Sequence, residues 1–367
     1  MRIGVDGREL QRGVRTGIGR YVREVLCAAS ERGWECVVYA MPDADIQGLP
    51  LNIVYKPVPP VWTQWWDQVR LPRQLQEDGI SVFLSPYYKG PVMASCPVVL
   101  TIHDLFFIGY PGQRRPAYDA VMTGLGKLYA RRASAIIADS EYSKRSIMSQ
   151  LGVGAEKISI IPVALGRDFR PRTLTPSDSA KYGLRSPYIL YVGNFKPHKN
   201  VPRLLEAYAA LPVSLRASYQ LVLAGSDEEH RPGLDQLANQ LGVGGRVVFP
   251  GLIADEDLSA IYSGCALFVL PSLYEGFGLP ALEAMACGAA VAAANRTAIP
   301  EVVDQAALLF DPEQVGEMTR VIQRGITETG LREQLRDRGL ARARVFSQGR
   351  TSGLVLDLLQ QVVRQAA

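Results

Sequence analysis

The stretch Leu267-Phe-Val-Leu-Pro-Ser-Leu-Tyr-Glu-Gly-Phe-Gly-Leu-Pro-Ala-Leu-Glu-Ala-Met-Ala-Cys-Gly288 combines a strand, a glycine-containing loop and a helix. Its first four residues are apolar and predict a buried strand. The loop that follows contains Gly276 and Gly278, whose missing side chains allow a ligand to approach the backbone closely. Pro280 suits the first turn of a helix, where the missing N–H of a proline costs nothing. This order of elements predicts a phosphate site at the edge of a parallel α/β sheet.

Two glutamates lie in the same stretch. Glu275 lies in the loop, and Glu283 is expected in the first turn of the helix. A carboxylate near a helix N-terminus can simply complement the helix dipole. That role requires neither the two glycines nor a glutamate outside the helix, so the pattern favours a ligand site. Carboxylates accept hydrogen bonds from vicinal hydroxyl groups, whereas helix N–H groups and cations bind phosphates.

Short β-branched strands alternate with longer helical patterns on both sides of this stretch. Such alternation with buried strands predicts parallel sheets covered by helices. The proline-rich segment 166–187 lacks periodicity and predicts a linker. We therefore expect two Rossmann-like domains: residues 1–168 with a C-terminal crossover helix at about 349–367, and residues 187–348. Strands are predicted at 2–6, 35–40, 52–56, 81–84, 97–102, 135–138, 158–161, 188–193, 219–224, 247–249, 267–270 and 289–293.

The composition is typical of a soluble globular protein. Of the 367 residues, 47% are apolar and 21% are charged, which excludes a largely disordered chain. No apolar run reaches the roughly 18 residues of a membrane helix, and the chain opens without the apolar stretch of a secretory signal. The five cysteines are scattered and the three histidines lie far apart. We therefore expect a cytoplasmic protein without a disulfide framework, a metal or another cofactor.

The net charge of +4 is concentrated in the amino-terminal half. Neither a dense basic stripe nor a nucleic-acid-binding module is present, so we expect no nucleic acid as a partner. A basic half could instead face an anionic membrane surface or a phosphorylated acceptor.

The segment 61–72 carries three of the four tryptophans. Trp62, Trp65, Trp66 and Val69 recur at helical spacing, which is typical of a core-facing stripe. An exposed acceptor surface, or peripheral contact with the cytoplasmic face of the inner membrane, is the alternative. This alternative draws on the arginines of the same domain, which are Arg70, Arg73, Arg114, Arg115, Arg131 and Arg132.

Two Asp-x-Asp pairs, at 43–45 and 255–257, would suit a metal-bound ligand. Asp255 precedes a helical run and is expected to be its N-cap. Asp43 lies in a proline-flanked loop. We therefore expect structural roles for both pairs.

Glu275 and Glu283, separated by seven residues, resemble the E-x7-E signature of retaining glycosyltransferases of family 4, which have the GT-B fold. Four further stretches resemble other loops of that family, in the family's order: Gly17-Ile-Gly-Arg-Tyr21, Thr101-Ile-His-Asp-Leu105, Tyr191-Val-Gly-Asn-Phe-Lys-Pro-His-Lys-Asn200 and Ile299-Pro-Glu-Val302. The resemblance covers nearly the whole chain. It implies two Rossmann-like domains facing a central cleft, with a nucleotide diphosphate sugar as the donor.

The resemblance also implies roles for individual residues. Glu275 would contact hydroxyl groups of the donor sugar, and Glu283 would hold the ribose. Further substrate-binding roles near the sugar and the pyrophosphate are implied for Gly17, Gly19, Asn194, Gly276, Phe277, Gly278 and Leu279.

Lys199 and His103 complete the implied site. A cation at Lys199 can neutralise charge on a departing nucleoside diphosphate. The family usually places an arginine where this chain has Asn194, and Lys196 is an alternative cation. His103 follows an apolar strand and could be a hydrogen-bonded core residue, but the resemblance implies that it approaches the donor sugar. The predicted catalytic residues are thus His103, Lys199 and Glu275.

The resemblance is greatest to mannosyltransferases of bacterial polysaccharide assembly. It implies retaining transfer of a hexose, with GDP-mannose as the best candidate donor, to a glycan, lipid-linked or small-molecule acceptor. UDP-glucose or UDP-N-acetylglucosamine could use the same contacts, because pyrophosphate and ribose are common to all of them. The same residues would also suit a GT-B phosphorylase or a non-catalytic protein that binds nucleotide sugars. No side chain is an obvious nucleophile, which favours a route in which the donor phosphate accepts the acceptor's proton.

Overall fold

A computed structural model describes residues 1–10, 17–59, 63–108, 116–166, 168–185, 187–346 and 348–366. Trp62, Arg114 and Arg115 lie outside these residues. The chain divides into two compact units, which are Met1–Ala164 with Gln348–Ala367, and Leu165–Ser347.

The first unit contains a seven-stranded parallel sheet with the strand order β3-β2-β1-β4-β5-β6-β7. Its strands are β1 (Arg2–Asp6), β2 (Glu35–Ala40), β3 (Ile53–Pro57), β4 (Val82–Ser85), β5 (Val98–Ile102), β6 (Ala135–Ala138) and β7 (Ile158–Ile160). Its first helices are α1 (Gly17–Glu31), α2 (Thr63–Trp65), α3 (Leu71–Glu77), α4 (Pro116–Arg132) and α5 (Glu141–Leu151). A π-helical turn, Trp66–Arg70, connects α2 to α3.

The second unit contains a six-stranded parallel sheet with the strand order β10-β9-β8-β11-β12-β13. Its strands are β8 (Tyr188–Val192), β9 (Gln220–Ala224), β10 (Val247–Gly251), β11 (Leu267–Leu270), β12 (Val291–Ala294) and β13 (Leu308–Phe310). Its helices are α6 (Pro176–Lys181), α7 (Val201–Ala209), α8 (Val213–Ser218), α9 (Arg231–Gln240), α10 (Asp255–Gly264), α11 (Leu279–Ala286), α12 (Ile299–Val303), α13 (Val315–Thr327) and α14 (Leu331–Ala343).

The last helix, α15 (Gln348–Ala366), belongs to the first unit although it follows the second in sequence. Its residues Val355, Leu359 and Val362 are buried in the same apolar core as Val22 of α1. These positions recur at intervals of three and four, so one face of the helix is covered. The predicted crossover helix is thereby confirmed.

All of the predicted strands are present, with bounds within about two residues of those expected. The short strand β13 was not predicted, because three apolar residues give too little periodicity to distinguish a strand from a loop. Parallel pairing throughout both sheets confirms two Rossmann-like units.

The segment 166–187 differs from the predicted linker. It belongs to the second unit and contains α6. Thr175 caps this helix, since its Oγ1 accepts the N–H of Asp178 while the Asp178 carboxylate accepts the N–H of Thr175. This Thr-x-x-Asp capping box is a helix start signal that the proline-rich composition conceals.

The tryptophan segment does not form one buried stripe. Trp66 is buried, whereas Trp65 and Val69 are exposed. The π-helical turn Trp66–Arg70 breaks the regular helical spacing on which that prediction rests.

Candidate functional site

Lys199 and Glu275 lie at the same edge of the second sheet. Lys199 follows β8 and Glu275 follows β11, and these parallel strands are neighbours, so the loops after them meet. Nζ of Lys199 lies 2.8 Å from Oε1 of Glu275, and the two side chains are only 16% and 10% exposed. The structure therefore brings together two predicted site residues that are distant in sequence.

Two hydroxyl groups position Glu275 further. Oγ of Ser272 donates to Oε1 of Glu275 at 2.7 Å, and the N–H of Glu275 donates to Oγ1 of Thr297 at 3.1 Å. Thr297 has a φ of 54°, which is unusual for a β-branched residue. Such backbone strain persists only where the surrounding structure holds it, so Thr297 indicates a tightly fixed Glu275 loop.

The turn that carries Lys199 is a short 3₁₀ helix, Pro197–Lys199, which ends at Asn200. Asn200 has a φ of 60°, a left-handed conformation that asparagine tolerates better than most residues. Its buried Nδ2 donates to the carbonyl oxygens of Pro271 at 3.0 Å and Pro312 at 2.8 Å. The backbone of the loops after β11 and β13 therefore fixes the position of the Lys199 turn.

His198 precedes Lys199 and is also fixed by the β11 loop. Its carbonyl oxygen accepts the N–H of Leu273 at 2.8 Å. Burial, followed by the positive charge of Lys199, lowers the pKa of His198 to about 4. The imidazole is therefore neutral at neutral pH, and Lys199 carries the charge of this turn.

Asn194 shapes the first part of the same loop. Its carbonyl oxygen accepts the hydroxyl of Tyr191 at 2.5 Å, and its Oδ1 accepts the N–H of Lys196 at 3.3 Å. The Lys196 side chain is exposed. A donor-binding role for Asn194, with or without Lys196, stays a prediction.

The loop from Gly276 to Gly278 leads directly into α11. Gly278 has a φ of 103°, which favours glycine. Phe277 is buried, with its ring centroid 5.7 Å from that of Phe346. The N–H groups at the start of an α-helix lack partners within the helix and carry the positive end of its dipole. The backbone that leads into Leu279 at the start of α11 is therefore suited to bind an anion.

Glu283 lies in the second turn of α11, so its predicted place in the first turn is wrong. The helix begins at Leu279 because Gly278 is its left-handed N-cap. Oε2 of Glu283 accepts the hydroxyl of Tyr262 at 3.1 Å, and both residues are buried. Burial and the charge of Glu283 raise the pKa of Tyr262 well above its usual value, so the phenol remains a donor.

His103 lies at the corresponding edge of the first sheet. It follows β5, and Asp139 follows the neighbouring strand β6. Nδ1 of His103 lies 2.7 Å from Oδ2 of Asp139, and the His103 carbonyl oxygen accepts the hydroxyl of Ser143 at 3.2 Å. The ring of Tyr21 packs edge-on against the imidazole at 5.7 Å. Asp139 and Tyr21 therefore orient the ring, while Ser143 holds the backbone of His103.

The carboxylate of Asp139 also sets the charge of His103. Burial alone would lower the pKa of His103, but Asp139 raises it above the ordinary value of about 6.5. Nε2 of His103 is buried and has no hydrogen-bond partner in the described part of the chain. An N–H there is a donor that an oxygen atom of a ligand would satisfy.

Gly17 and Gly19 lie inside the first turn of α1, which begins at Gly17. Residues 11–16, the preceding part of the predicted glycine loop, lie outside the described residues. Contacts of Gly17 and Gly19 with a pyrophosphate stay a prediction.

The carboxylate of Asp257 is bound by neighbouring side chains. It accepts hydrogen bonds from Nζ of Lys181 and the hydroxyl of Tyr182, both at 2.7 Å. The N-cap of α10 is Ala254 rather than the predicted Asp255, which lies in the first turn. The acidic first turn complements the helix dipole, in line with a structural role.

Asp45 also has a structural partner. Its Oδ2 lies 2.9 Å from Nη2 of Arg23, and its Oδ1 accepts the N–H of Gln47 at 3.2 Å. Across the described ranges, no three His, Cys, Asp or Glu side chains form a group that could hold a metal ion.

Family models match both units of the chain. The model described as Glycosyltransferase Family 4 matches residues 15–165, and the one described as Glycosyl transferases group 1 matches residues 176–342. The chain belongs to the family 4 glycosyltransferases.

Two Escherichia coli relatives of this family 4 chain carry mannosyltransferase names. The serotype-specific mannosyltransferase WbdA is 34% identical over 232 residues, which are 62% of this chain and 28% of WbdA. The O-antigen chain mannosyltransferase B is 37% identical over 220 residues, which are 59% of this chain and 57% of that protein. The matched region is thus less than two thirds of the length of either relative.

A solved structure confirms the fold expected for family 4. Sucrose-phosphate synthase from Thermosynechococcus elongatus superimposes with a TM-score of 0.82, covers 99% of each chain and is 22% identical. At this identity the likeness concerns the fold alone, which is GT-B.

Several residues that contact the candidate site residues were missed by sequence reasoning. Asp139 directly follows an apolar strand, as His103 does, and that shared signal could have identified it. Tyr262 and Thr297 have no comparable signal. They act through contacts with Glu283 and Glu275 that depend on the fold.

Proposed function

We propose that the chain is a retaining hexosyltransferase that uses a nucleoside-diphosphate sugar as its donor. The observation that carries this proposal is the contact between Lys199 and Glu275 beside the start of α11. A cation, a carboxylate and backbone N–H groups at one sheet edge match the phosphates and hydroxyl groups of such a donor.

Lys199 is proposed to stabilise the leaving diphosphate. Its ammonium group has three N–H donors, of which one is directed to Glu275. The remaining donors can bind phosphate oxygens, while Glu275 accepts hydrogen bonds from sugar hydroxyl groups. Glu283 would accept hydrogen bonds from the ribose, oriented by Tyr262. His103, oriented by Asp139, would donate from Nε2 to a sugar hydroxyl group.

The proposed reaction retains the anomeric configuration by a front-face route. The bond between the anomeric carbon and the phosphate oxygen breaks, and the acceptor oxygen bonds to that carbon on the same face. The acceptor's proton passes to the departing phosphate oxygen, which makes a protein base unnecessary. Lys199 and the N-terminal amides of α11 stabilise the charge that develops on the leaving group.

GDP-mannose is the proposed donor, and a glycan, lipid-linked or small-molecule acceptor receives the mannose. The mannosyltransferase names of the two Escherichia coli relatives support this choice. UDP-glucose and UDP-N-acetylglucosamine are the alternative donors.

The proposed transfer requires no divalent metal. The carboxylates of Asp257 and Asp45, one in each Asp-x-Asp pair, are bound by Lys181 and Arg23. Charge on the diphosphate would instead be balanced by Lys199. Activity that survives exhaustive treatment with EDTA would support this part of the proposal, and activity restored only by added metal would contradict it.

Thermal-shift measurements with GDP-mannose, UDP-glucose and UDP-N-acetylglucosamine would identify the donor, because a tight ligand raises the unfolding temperature. Transfer is then measured as nucleotide release with candidate acceptors, and NMR of the product gives the anomeric configuration. An inverted product would reject the retaining mechanism. Turnover only with inorganic phosphate or a sugar phosphate would indicate a phosphorylase or synthase, and binding without turnover would indicate a regulatory protein.

A further inference from the structure

Arg342 lies in the last turn of α14 and reaches the carboxyl-terminal end of α12. Its Nε donates to the carbonyl oxygen of Val302 at 2.9 Å, and its Nη2 donates to that of Glu301 at 2.6 Å. The last carbonyl groups of a helix lack partners within the helix, so the guanidinium satisfies two of them. Because the donor is charged, these hydrogen bonds are stronger than those between neutral groups. Arg342 therefore holds α12 against α14.

The helix α12 is flanked by two residues with strained backbones. Thr297 lies two positions before the helix and has a φ of 54°, and Asp304 directly follows it with a φ of 49° and a ψ of −132°. Such conformations persist only where the surrounding structure holds them. Contacts from outside α12 must therefore fix its position, and the Arg342 side chain supplies two of these contacts.

The same guanidinium also contacts an aromatic pair. Its Cζ lies 4.8 Å from the centroid of the Phe346 ring, which in turn packs edge-on against Phe277 with centroids 5.7 Å apart. Both arrangements are attractive, the first between a cation and an aromatic face and the second between two rings. The backbone of Phe346 is fixed as well, because its carbonyl oxygen accepts the N–H of Leu165 at 2.9 Å. Arg342 is thereby linked to the loop that carries Phe277.

Close packing of α14 against α11 gives Arg342 a rigid support. A Cβ atom on Gly339 would lie only 3.2 Å from Cγ of Met285 in α11, so the glycine allows the two helices to approach closely. Met285 is near the end of α11, whereas Phe277 precedes its start and contacts Phe346. The two segments therefore run antiparallel, which places Arg342 towards the start of α11.

We propose that Arg342 is a positioning residue for Glu275, a role that rests on the proposed sugar transfer. Through α12, Arg342 holds the backbone next to Thr297, whose hydroxyl accepts the N–H of Glu275. Through Phe346, it holds Phe277, which lies two positions after Glu275. One side chain thus fixes the loop before α11 from two sides.

Hydrogen exchange of the backbone N–H of Glu275 measures this positioning without any donor, because that N–H donates to Thr297. We expect exchange to be about tenfold faster or more in Arg342→Met, since the loop should open more often. Arg342→Lys retains a charged donor for the α12 carbonyl groups and should recover part of the protection. Unchanged exchange at Glu275 in a folded Arg342→Met protein would overturn the proposal.

Steady-state release of nucleotide measures the consequence for sugar transfer. Arg342→Met should lower kcat by on the order of 10–10², because a small displacement of a binding group is costly in turnover. In a Glu275→Gln background the same replacement should lower kcat by no more than about threefold, since residues that act through one another are not additive. An equal loss in both backgrounds would contradict a role that acts through Glu275.

The matched control is Arg338→Met, which removes an exposed arginine four positions earlier in α14. Exchange at Glu275 and kcat should both stay close to those of the unaltered protein. Circular dichroism and the unfolding temperature show whether each variant is folded. Equal effects of Arg338→Met and Arg342→Met would reject the assignment to Arg342.

The two measurements separate failure of this proposal from failure of the proposed function. If the unaltered protein released no nucleotide from any of the donors, the proposed function would be wrong, and exchange at Glu275 would still test the positioning. Faster exchange in Arg342→Met with an unchanged kcat would show that Arg342 serves stability alone, and the positioning role would be rejected.

Discussion

His103 and His198 both lie in loops that follow parallel strands, but their pKa values are shifted in opposite directions. Each histidine follows a buried parallel strand, one in the first unit and one in the second. Asp139 lies beside His103 and raises its pKa, whereas burial and Lys199 lower the pKa of His198 to about 4. The neighbouring group, rather than the position after a strand, decides which histidine can hold a proton near neutral pH.

The two units also differ in the positively charged group that each contributes. In the candidate site of the second unit, Lys199 is the cation that contacts Glu275. In the first unit the cation is His103, whose charge depends on pH. We therefore expect the leaving-group charge to be balanced by Lys199, and pH-sensitive contacts to arise from His103.

The largest expected effect tests the role of Lys199. Replacement Lys199→Ala should lower kcat by on the order of 10²–10³, because it removes one preorganised electrostatic contact with the leaving group. The matched control is Lys196→Ala, whose exposed side chain is three positions earlier and for which we expect a change of only a few-fold. The measurement is steady-state release of nucleotide from the donor.

A similar loss of kcat in both lysine variants would show that the half-buried Lys199 and the exposed Lys196 do not differ in function. Near-normal turnover of a folded Lys199→Ala protein would reject the site assignment itself. The unfolding temperature of each variant distinguishes these outcomes from misfolding.

The next largest expected effect is the difference between the pKa values of His198 and His103. NMR titration of imidazole-labelled protein should show His198 titrating near 4 and His103 above about 6.5. Because the chain has only three histidines, the variants His198→Gln and His103→Gln assign the signals. If the two histidines titrated at the same pH, the claim that their surroundings shift their pKa values in opposite directions would be wrong.

The same loops show how far the sequence predicts the structure. The strands before His103 and Lys199 are apolar and β-branched, so the position of each loop follows from local pattern. The partner of each charged residue does not follow from local pattern, because it lies after a neighbouring strand. Asp139 follows β6, and Glu275 follows β11. Strand order therefore determines the partners, and no local pattern encodes that order.

Glu283 gives a second example of that limit. Its distance from Glu275 is evident in the sequence, but its place in the second turn depends on Gly278 as the N-cap of α11. Its contact with Tyr262 depends on the packing of α10 against α11. Sequence alone thus identifies the carboxylate but cannot identify the hydroxyl group that orients it.

A smaller effect concerns the coupling between Asp139 and His103. Because the folded pKa of His103 is raised, its interaction with Asp139 is fully stabilising below about pH 6.5 and is lost as pH rises through the folded pKa. Replacement Asp139→Asn should therefore destabilise the protein by on the order of 1 kcal/mol at low pH, and by less at high pH. Chemical unfolding at several pH values measures the difference, and a penalty that grows with pH would contradict this sign.

His198 should give stability a pH dependence opposite to that of His103, and Lys199→Ala tests its cause. The folded pKa of His198 is lowered, so the unfolded chain takes up the proton first and stability falls as pH drops from about 6.5 towards 4. Removing Lys199 should raise the pKa of His198, although burial will keep it below the ordinary value. Lys196→Ala should raise it less, since Lys196 is the weaker of the two repulsive charges. NMR titration of both variants tests this order, and a larger shift in Lys196→Ala would contradict it.

The smallest expected effect on stability comes from Thr297. Replacement Thr297→Gly relieves the strain of a φ of 54° but removes the hydroxyl that accepts the N–H of Glu275. Each contribution is about 1 kcal/mol and they oppose each other, so the unfolding temperature should change little. The glycine also leaves the Glu275 loop freer to move, so we expect kcat to fall while stability is preserved. Unchanged kcat would show that Ser272 and Lys199 alone position the carboxylate, and that the strained backbone serves only the turn before α12.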